Sequence, residues 1–181
     1  EAFGGLFFWM GVAILVVYVA MVLTFNSLVT PFIILFSLPL ATIGALMAAA
    51  EGEPAGPYGL SQVGQHFMAG MMALSRELAV FIAPFINSYK RYASLSWAPV
   101  NVVWGRDNRT TGFRVVGDGA ALHVEDRFPG GDMNSYTTYA AVVGAGLLGI
   151  EREIEPPDEY IGNGYVATGC DRMPRALHEA I

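Results

Sequence analysis

The sequence predicts an α+β domain preceded by an α-helical membrane hairpin. From Ala2 to Ala50 there is no Asp, Glu, Lys, Arg or His, and the ten Lys and Arg residues all lie further along the chain. The charged part carries helical patterns on both sides of a β-hairpin signal at Asp118-Gly119. We therefore expect three segments: membrane helices over 1–50, a linker over 51–58, and helices on an antiparallel sheet over 59–181.

Two uncharged runs make up the first segment. Leu6 to Phe25 and Phe32 to Ala50 are each about as long as a helix that crosses the ~30 Å hydrocarbon core of a bilayer. The alternative is a buried hairpin of a soluble core, which such long unbroken apolar runs do not favour. Neither run contains an ionisable residue, so this segment alone has no proton or ion relay.

Composition excludes several classes of protein. The formal net charge of -6 argues against a nucleic-acid-binding protein, which would show a basic stripe. Cys170 is the single cysteine, so an internal disulfide and a zinc site of several thiolates are both excluded. This cysteine usage is typical of a reducing compartment.

Helices are predicted at both ends of the charged part. Ser61 is a suitable N-cap for a helix that continues to about Ile82. A second helix is predicted from about Tyr136 to Glu153, with Asp132 or Asn134 as its N-cap. Both patterns place small or apolar residues on one side, which indicates packing against a core.

Between the helices, a short strand over Val100–Trp104 is followed by a hairpin. With Asp118-Gly119 as a two-residue turn, Val116 pairs with Ala121 and Arg114 faces His123. Strand alternation then separates a charged face from an apolar face that goes to the core. The charged face comprises Arg114, His123, Glu125 and Arg127.

This charged face suits an anionic ligand. Arginine presents a planar fork that matches carboxylate and phosphate groups. A carboxylate among the arginines can ligate Mg²⁺, which prefers oxygen ligands shared with substrate phosphates. The residues alone leave two interpretations open: a site for an anionic substrate and a nucleotide phosphate, or an exposed strand with ordinary salt bridges.

Six segments in order resemble the C-terminal part of glutamine synthetase, over about residues 55–181. They imply a C-terminal fragment of that family's catalytic domain, with helices on an antiparallel sheet. The segments are His66-Phe67-Met68-Ala69-Gly70, Asn87-Ser88-Tyr89-Lys90-Arg91, Ala98-Pro99, Arg106-Asp107-Asn108-Arg109-Thr110, Glu125-Asp126-Arg127-Phe128-Pro129-Gly130-Gly131-Asp132-Met133-Asn134 and Ala145-Gly146-Leu147-Leu148-Gly149-Ile150-Glu151.

The resemblance implies an ATP-dependent ligase that joins glutamate to ammonia or an amine through γ-glutamyl phosphate, using Mg²⁺ or Mn²⁺. By resemblance, Arg91 and Arg127 hold the glutamate carboxylate or the transferred phosphate. Arg109 and Arg114 contact the ATP phosphates, and Glu125 ligates the metal nearer the nucleotide. The resemblance also implies a cytoplasmic enzyme of nitrogen metabolism and a homo-oligomer whose active sites form between neighbouring subunits.

Two positions depart from the family pattern. Trp97 stands just before Ala98-Pro99, where ammonia-using members carry a glutamate that helps to take a proton from ammonium. This departure resembles the branch that acts on other amines, such as γ-glutamylpolyamine synthetases. His123 stands where many members have an arginine, which leaves the nucleotide contacts there open.

The first fifty residues resemble another family. Val17–Leu28, Thr30–Ile34 and Ser37–Leu46 are similar to a transmembrane pair of resistance–nodulation–division efflux pumps. This resemblance implies an inner-membrane segment with lipid as its partner. It also gives the alternative function, a fragment of a membrane efflux transporter.

The two resemblances together describe a chimera of two incomplete families. The ligase part lacks the family's N-terminal β-grasp domain and the segment with most of its metal-binding glutamates, so we expect this chain alone to be catalytically inactive. A joining artefact between two genes accounts for such a sequence. The other interpretation is a membrane-tethered, ligase-like binding module.

Overall fold

The computed structural model describes residues 9, 12, 15–20, 22–23, 28, 56–93 and 96–181. The chain divides into two compact units, Glu1–Ile43 and Gly44–Ile181. In the first unit the Tyr18 hydroxyl donates to the carbonyl of Leu28 at 2.8 Å. Most of the predicted membrane hairpin lies outside the described residues. Among those that are described, no helix is both long enough and apolar enough to cross a membrane.

Helices and a small sheet form the described part of the second unit, so the α+β class is confirmed. Its helices are α1 (Gln62–Ala73), α2 (Ala79–Ile82), α3 (Ser135–Glu151) and α4 (Leu177–Ala180). Its strands are β1 (Trp104–Arg106), β2 (Phe113–Val116) and β3 (His123–Asp126). Short 3₁₀ turns lie at Pro57–Gly59, Ile86–Arg91, Gly119–Ala121 and Gly164–Val166.

The two long helices begin at predicted caps. The Ser61 hydroxyl accepts a hydrogen bond from the Gly64 N–H at 3.0 Å, and the Asn134 side chain accepts one from the Tyr136 N–H at 3.0 Å. Each bond satisfies an amide that the helix leaves unpaired at its start. The first helix is shorter than predicted, since a turn over 74–78 separates α1 from α2. Ser75, whose hydroxyl donates back to the carbonyl of Met71 at 2.8 Å, favours such a break.

Helices α1 and α3 cross where both lack side chains. A Cβ on Gly149 would lie 2.7 Å from the Cα of Gly70 and would press against the carbonyl oxygen of His66. The two backbones therefore touch directly. His66 is buried beside this crossing, and its Nδ1 lies 2.8 Å from the carbonyl oxygen of Ile154, which indicates a structural role.

The sheet is mixed, so the antiparallel prediction is wrong for one of its two pairings. Strand β2 runs antiparallel to β3 but parallel to β1, with Trp104 opposite Phe113. The first strand also starts later than predicted, because Asn101 forms an isolated bridge with Arg172 instead. The connection from β1 to β2 turns sharply at Asp107, whose φ of 46° lies in the left-handed region.

The hairpin register differs from the prediction by two residues. Arg114 lies opposite Glu125, and Val116 lies opposite His123. The connection is longer than a two-residue turn because Gly117 has a φ of 84° and a 3₁₀ turn follows it. A shift of two residues leaves every side chain on its original face, so Arg114 and Glu125 still share a face as predicted. The apolar face is buried as predicted at Phe113, Val115 and Leu122.

The glycine crossing makes a prediction about stability. Replacing Gly149 by alanine should lower the free energy of unfolding by about 1–3 kcal/mol, since the new methyl group has no room between α1 and α3. Gly144 lies in the same helix, and a methyl group added there would meet no atom within 4 Å. Gly144→Ala should therefore raise stability by up to about 1 kcal/mol. Urea denaturation of both variants measures this, and equal effects would contradict the proposed contact.

Candidate functional site

A cavity of about 490 Å³ lies beside β1 and β2. Arg109 and Arg114, the two residues predicted to contact ATP phosphates, both line it, whereas Arg91, Glu125 and Arg127 do not. The full lining comprises Arg106, Asp107, Asn108, Arg109, Arg114, Glu159, Tyr160, Ile161 and Gly162.

Arg114 is held between two carboxylates. Its Nε donates to Asp107 Oδ1 at 3.1 Å, its Nη2 donates to the same oxygen, and its Nη1 donates to Glu125 Oε2 at 3.1 Å. The pKa of Arg114 is raised mainly by its hydrogen bonds to Asp107. The same hydrogen bonds lower the pKa of the Asp107 carboxyl. The side chain of Arg114 is mostly buried, so it is a permanent cation in a fixed orientation.

Arg106, which also lines the cavity, is anchored by two carboxylates. Its backbone N–H donates to Glu159 Oε1 at 2.7 Å, and its Nη2 donates to Asp118 Oδ1 at 2.6 Å. Its guanidinium lies 5.3 Å from the ring centroid of Tyr58, whose hydroxyl donates to Glu159 Oε2 at 2.5 Å. Arg109 differs from both neighbours, since its exposed side chain forms no ion pair with any described residue. It is therefore the cavity arginine available to an anion.

Arg127 donates to backbone carbonyls from two segments. Its Nη1 contacts the carbonyls of Arg109 and of Thr111, the latter at 3.1 Å, and its Nη2 contacts that of Trp97 at 3.2 Å. Trp97 has a φ of 64° and an exposed fraction of 82%. Arg127 thus ties the exposed tryptophan to the segment that carries Arg109.

Arg91 reaches the segment that follows β3. Its Nη1 donates to the carbonyl of Phe128, which also accepts from the Tyr92 hydroxyl at 2.9 Å. The Arg91 guanidinium lies 5.5 Å from the centroid of the Tyr92 ring. Arg91 and Arg127 therefore stand close to the same turn, although their donors face backbone oxygens rather than the cavity.

Asp126 is a carboxylate beneath this turn. Its Oδ1 accepts from the Phe128 N–H at 3.0 Å. Burial raises the pKa of the Asp126 carboxyl to about 6, against the opposing effects of the Phe128 N–H and of Arg91. The Asp126 carboxyl therefore changes its charge near pH 6.

The described residues provide one candidate metal ligand. Among them, no group of three or more His, Cys, Asp or Glu side chains converges. The side chain of Glu125 is 43% exposed and gives one oxygen, Oε2, to Arg114. A single carboxylate of this kind fits Mg²⁺, which is commonly held by one or two carboxylates together with phosphate oxygens and water.

The residues that complete the cavity do not stand out in the sequence. Asp107 lies within a segment that resembles glutamine synthetase, but nothing in that segment singles it out. Glu159 lies in an acidic stretch that is typical of a loop facing solvent. Glu159 instead accepts a hydrogen bond from a residue 53 positions earlier, and the Tyr160 N–H donates to the Trp104 carbonyl at 2.9 Å. No local pattern reports pairings over such separations.

Comparison with known proteins decides the family. The family model described as glutamine synthetase, catalytic domain, matches residues 46–181. This chain belongs to the glutamine synthetase family. These matches lend no support to the resemblance of residues 1–50 to efflux pumps.

The named relatives include two ligases whose names refer to amines. A γ-glutamylethanolamide synthetase of Streptomyces coelicolor is 46% identical over 143 residues, covering 79% of this chain and 30% of the relative. A glutamate–isopropylamine ligase of a Pseudomonas species is 49% identical over 114 residues, covering 62% of this chain and 25% of the relative. The chain therefore spans less than a third of the length of these relatives.

A solved structure shares the fold of the matched part. The structure of GmaS in complex with ADP has a TM-score of 0.64 and 31% sequence identity. The match covers 71% of this chain and 31% of the GmaS chain.

The raised pKa of Asp126 makes a prediction about pH. Because the folded value of about 6 exceeds the ordinary value of 3.8, the folded chain binds the proton more tightly than the unfolded chain. The contribution of Asp126 to wild-type stability should therefore fall as pH rises from about 4 to about 6. Asp126→Asn removes this fall and retains an acceptor for the Phe128 N–H. Relative to wild type, we expect the variant to gain roughly 2 kcal/mol between pH 4 and pH 7.

Urea denaturation at several pH values measures this difference. Asp158→Asn is the matched control, since Asp158 is an exposed carboxylate with no described ion pair, and this variant should keep the wild-type pH dependence. A difference between Asp126→Asn and wild type that does not change with pH would contradict the burial of the Asp126 carboxyl.

Proposed function

We propose that this chain supplies the arginine-rich part of an ATP-dependent glutamate–amine ligase. The supporting observation is that Arg109 and Arg114 line one cavity while Glu125 contacts Arg114 directly. Family membership supports the reaction class. In this proposal the family's γ-glutamyl phosphate forms when ATP transfers its terminal phosphoryl group to glutamate.

The cavity arginines would act on the phosphates. Arg109, which has no described ion pair, would contact phosphate oxygens directly. Arg114 is oriented by Asp107 and Glu125 and would present a fixed positive charge beside them. Such prearranged charges stabilise the phosphoryl group during transfer because they need no reorganisation.

Glu125 would hold Mg²⁺ or Mn²⁺ next to the nucleotide. The other ligands of the metal ion would be nucleotide oxygens, water and further protein oxygens. When bound, the ion supplies charge neutralisation between the phosphates. Arg114 limits the motion of the Glu125 carboxylate by occupying Oε2.

Arg91 and Arg127 would serve the glutamate carboxylate or the transferred phosphate. Their guanidinium groups face neutral backbone carbonyls in the described structure. A charged carboxylate is a stronger hydrogen-bond acceptor for a guanidinium than a carbonyl is. The carboxylate of a bound glutamate would therefore replace those carbonyls as the acceptor of the guanidinium hydrogen bonds. No buried charge would be left unpaired by this replacement.

Trp97 favours an organic amine over ammonia as the acceptor. An indole cannot accept a proton from ammonium, whereas its exposed apolar face can contact an alkyl group. The two relatives described above carry amine names, ethanolamide and isopropylamine, which supports this branch. We further propose that the intact enzyme is a cytoplasmic homo-oligomer. We also propose that this chain alone is inactive, because it spans less than a third of the length of those relatives.

Nucleotide binding tests the role of the cavity. Arg109→Gln should weaken binding of Mg·ADP about tenfold, because a charge-assisted contact to phosphate is lost. The control is Arg152→Gln, which removes an exposed arginine that does not line the cavity. Isothermal titration calorimetry measures both. Undetectable binding to wild type, or equal weakening by both variants, would contradict the assignment of this cavity.

Turnover tests the proposal that the chain alone is inactive. Purified protein supplied with glutamate, Mg·ATP and either ammonium, ethanolamine or isopropylamine should release no phosphate above the background rate. Any γ-glutamyl product found by mass spectrometry would show that the chain is catalytically sufficient. Product formed with ammonium but with neither amine would contradict the amine branch.

A further inference from the structure

A second cavity, of about 470 Å³, lies between α1 and the segment around Cys170. Its walls are largely apolar and include Met72, Val102, Ile154 and Pro157. This volume is within the range of about 300–1,000 Å³ that small-molecule sites occupy. No residue of the proposed ligase machinery lines it.

Two carboxylates, Glu155 and Asp171, line this cavity and are exposed to solvent. Neither forms an ion pair with a described Lys or Arg. The ionisable side chain next to Glu155 is that of His66. The Nδ1 atom of His66 lies 3.9 Å from Glu155 Oε1 but only 2.8 Å from the carbonyl oxygen of Ile154. That ring nitrogen therefore serves as a donor to the carbonyl. The carboxylates are left without a cation of their own.

The position of Asp171 is fixed by backbone pairing. Its carbonyl accepts from the Val102 N–H at 2.8 Å, and the Met173 N–H donates to the Val100 carbonyl at 2.9 Å. The backbone of Asp171 is thus held at this edge of the cavity, while its carboxylate is exposed to solvent. The cavity combines an anionic rim with an apolar interior.

We propose that this second cavity binds a small primary alkylammonium ion. Its N–H groups would donate to Glu155 and Asp171, while its alkyl chain would contact Met72 and Ile154. The apolar walls suit an alkyl chain, whereas they offer no ligand to a metal ion. This site is separate from the acceptor position at Trp97 and does not rest on the proposed ligase function.

The structure provides a reporter for this cavity. Pro157, which lines the cavity, accepts a hydrogen bond through its carbonyl from the Trp104 indole N–H at 2.7 Å. Trp104 is 4% exposed, so its fluorescence responds to its protein surroundings rather than to bulk solvent. Cys170 lines the same cavity and is the single cysteine of the chain.

The test titrates n-propylammonium chloride into the full chain that carries Trp9→Phe and Trp97→Phe. These two changes leave Trp104 as the single tryptophan. They also remove the indole of the proposed acceptor position. Sodium chloride keeps the ionic strength constant. We expect a saturable change in Trp104 emission. Asp171→Asn and Glu155→Gln should each weaken the apparent affinity about fivefold, as loss of one exposed charge contact predicts.

Alkylation of Cys170 by iodoacetamide provides a second measurement in the wild-type chain. Saturating n-propylammonium should slow alkylation, as followed by mass spectrometry, whereas n-propanol at equal concentration should not. Asp158→Asn, which removes a neighbouring carboxylate that does not line the cavity, should leave both readouts unchanged.

Three results would overturn the proposal: no saturable response, equal responses to n-propanol and n-propylammonium, or equal weakening by Asp158→Asn and Asp171→Asn. Each result is independent of the nucleotide-binding and turnover measurements. Failure of the ligase proposal would leave this one standing, and the reverse is also true.

Discussion

The ion pairs of Arg114 set the geometry of the candidate site. One guanidinium joins the connection that follows β1, through Asp107, to strand β3, through Glu125. Asp107 has a left-handed backbone, and Arg109 follows it two residues later, so the direction of Arg109 depends on this pairing. Because the side chain of Arg114 is mostly buried, its loss would remove the cation that joins Asp107 to Glu125. The positions of the proposed phosphate contact and of the proposed metal ligand thus depend on the same side chain.

The charges around the cavity do not favour a bare polyphosphate. Three arginines, Arg106, Arg109 and Arg114, stand against four carboxylates, which are those of Asp107, Asp118, Glu125 and Glu159. Two of the three arginines are already paired, so the attraction for an anion comes mainly from Arg109. A nucleotide that arrives with a divalent cation brings the missing positive charge and gives Glu125 a partner in addition to Arg114. The electrostatics therefore agree with a metal–nucleotide complex as the ligand.

Local signals predicted what is locally determined. The caps at Ser61 and Asn134 act on amides within three residues, so the sequence placed the first helix start and narrowed the second to Asp132 or Asn134, of which Asn134 is the cap. The hairpin was found from Asp118-Gly119, but its length was not, because the left-handed backbone of Gly117 extends the connection and shifts the register by two residues. An even shift preserves the faces, which is why strand alternation placed Arg114 and Glu125 on one face although the predicted partner of Arg114 was His123. The parallel pairing of β1 and the role of Glu159 depend on tertiary contacts that periodicity does not encode.

The acidic segment 154–160 shows why such contacts matter for function. Its composition is typical of a loop facing solvent, yet Ile154, Glu155 and Pro157 line one cavity while Glu159 and Tyr160 line the other. Trp104 fixes the segment between them, since its indole donates to the Pro157 carbonyl and its own carbonyl accepts from the Tyr160 N–H. Pro156 and Pro157 each restrict their own backbone torsion angle φ, which limits the conformations open to this segment. Because Glu159 accepts from the backbone N–H of Arg106, the same short segment that borders the apolar cavity also holds the backbone of the arginine-lined cavity in place.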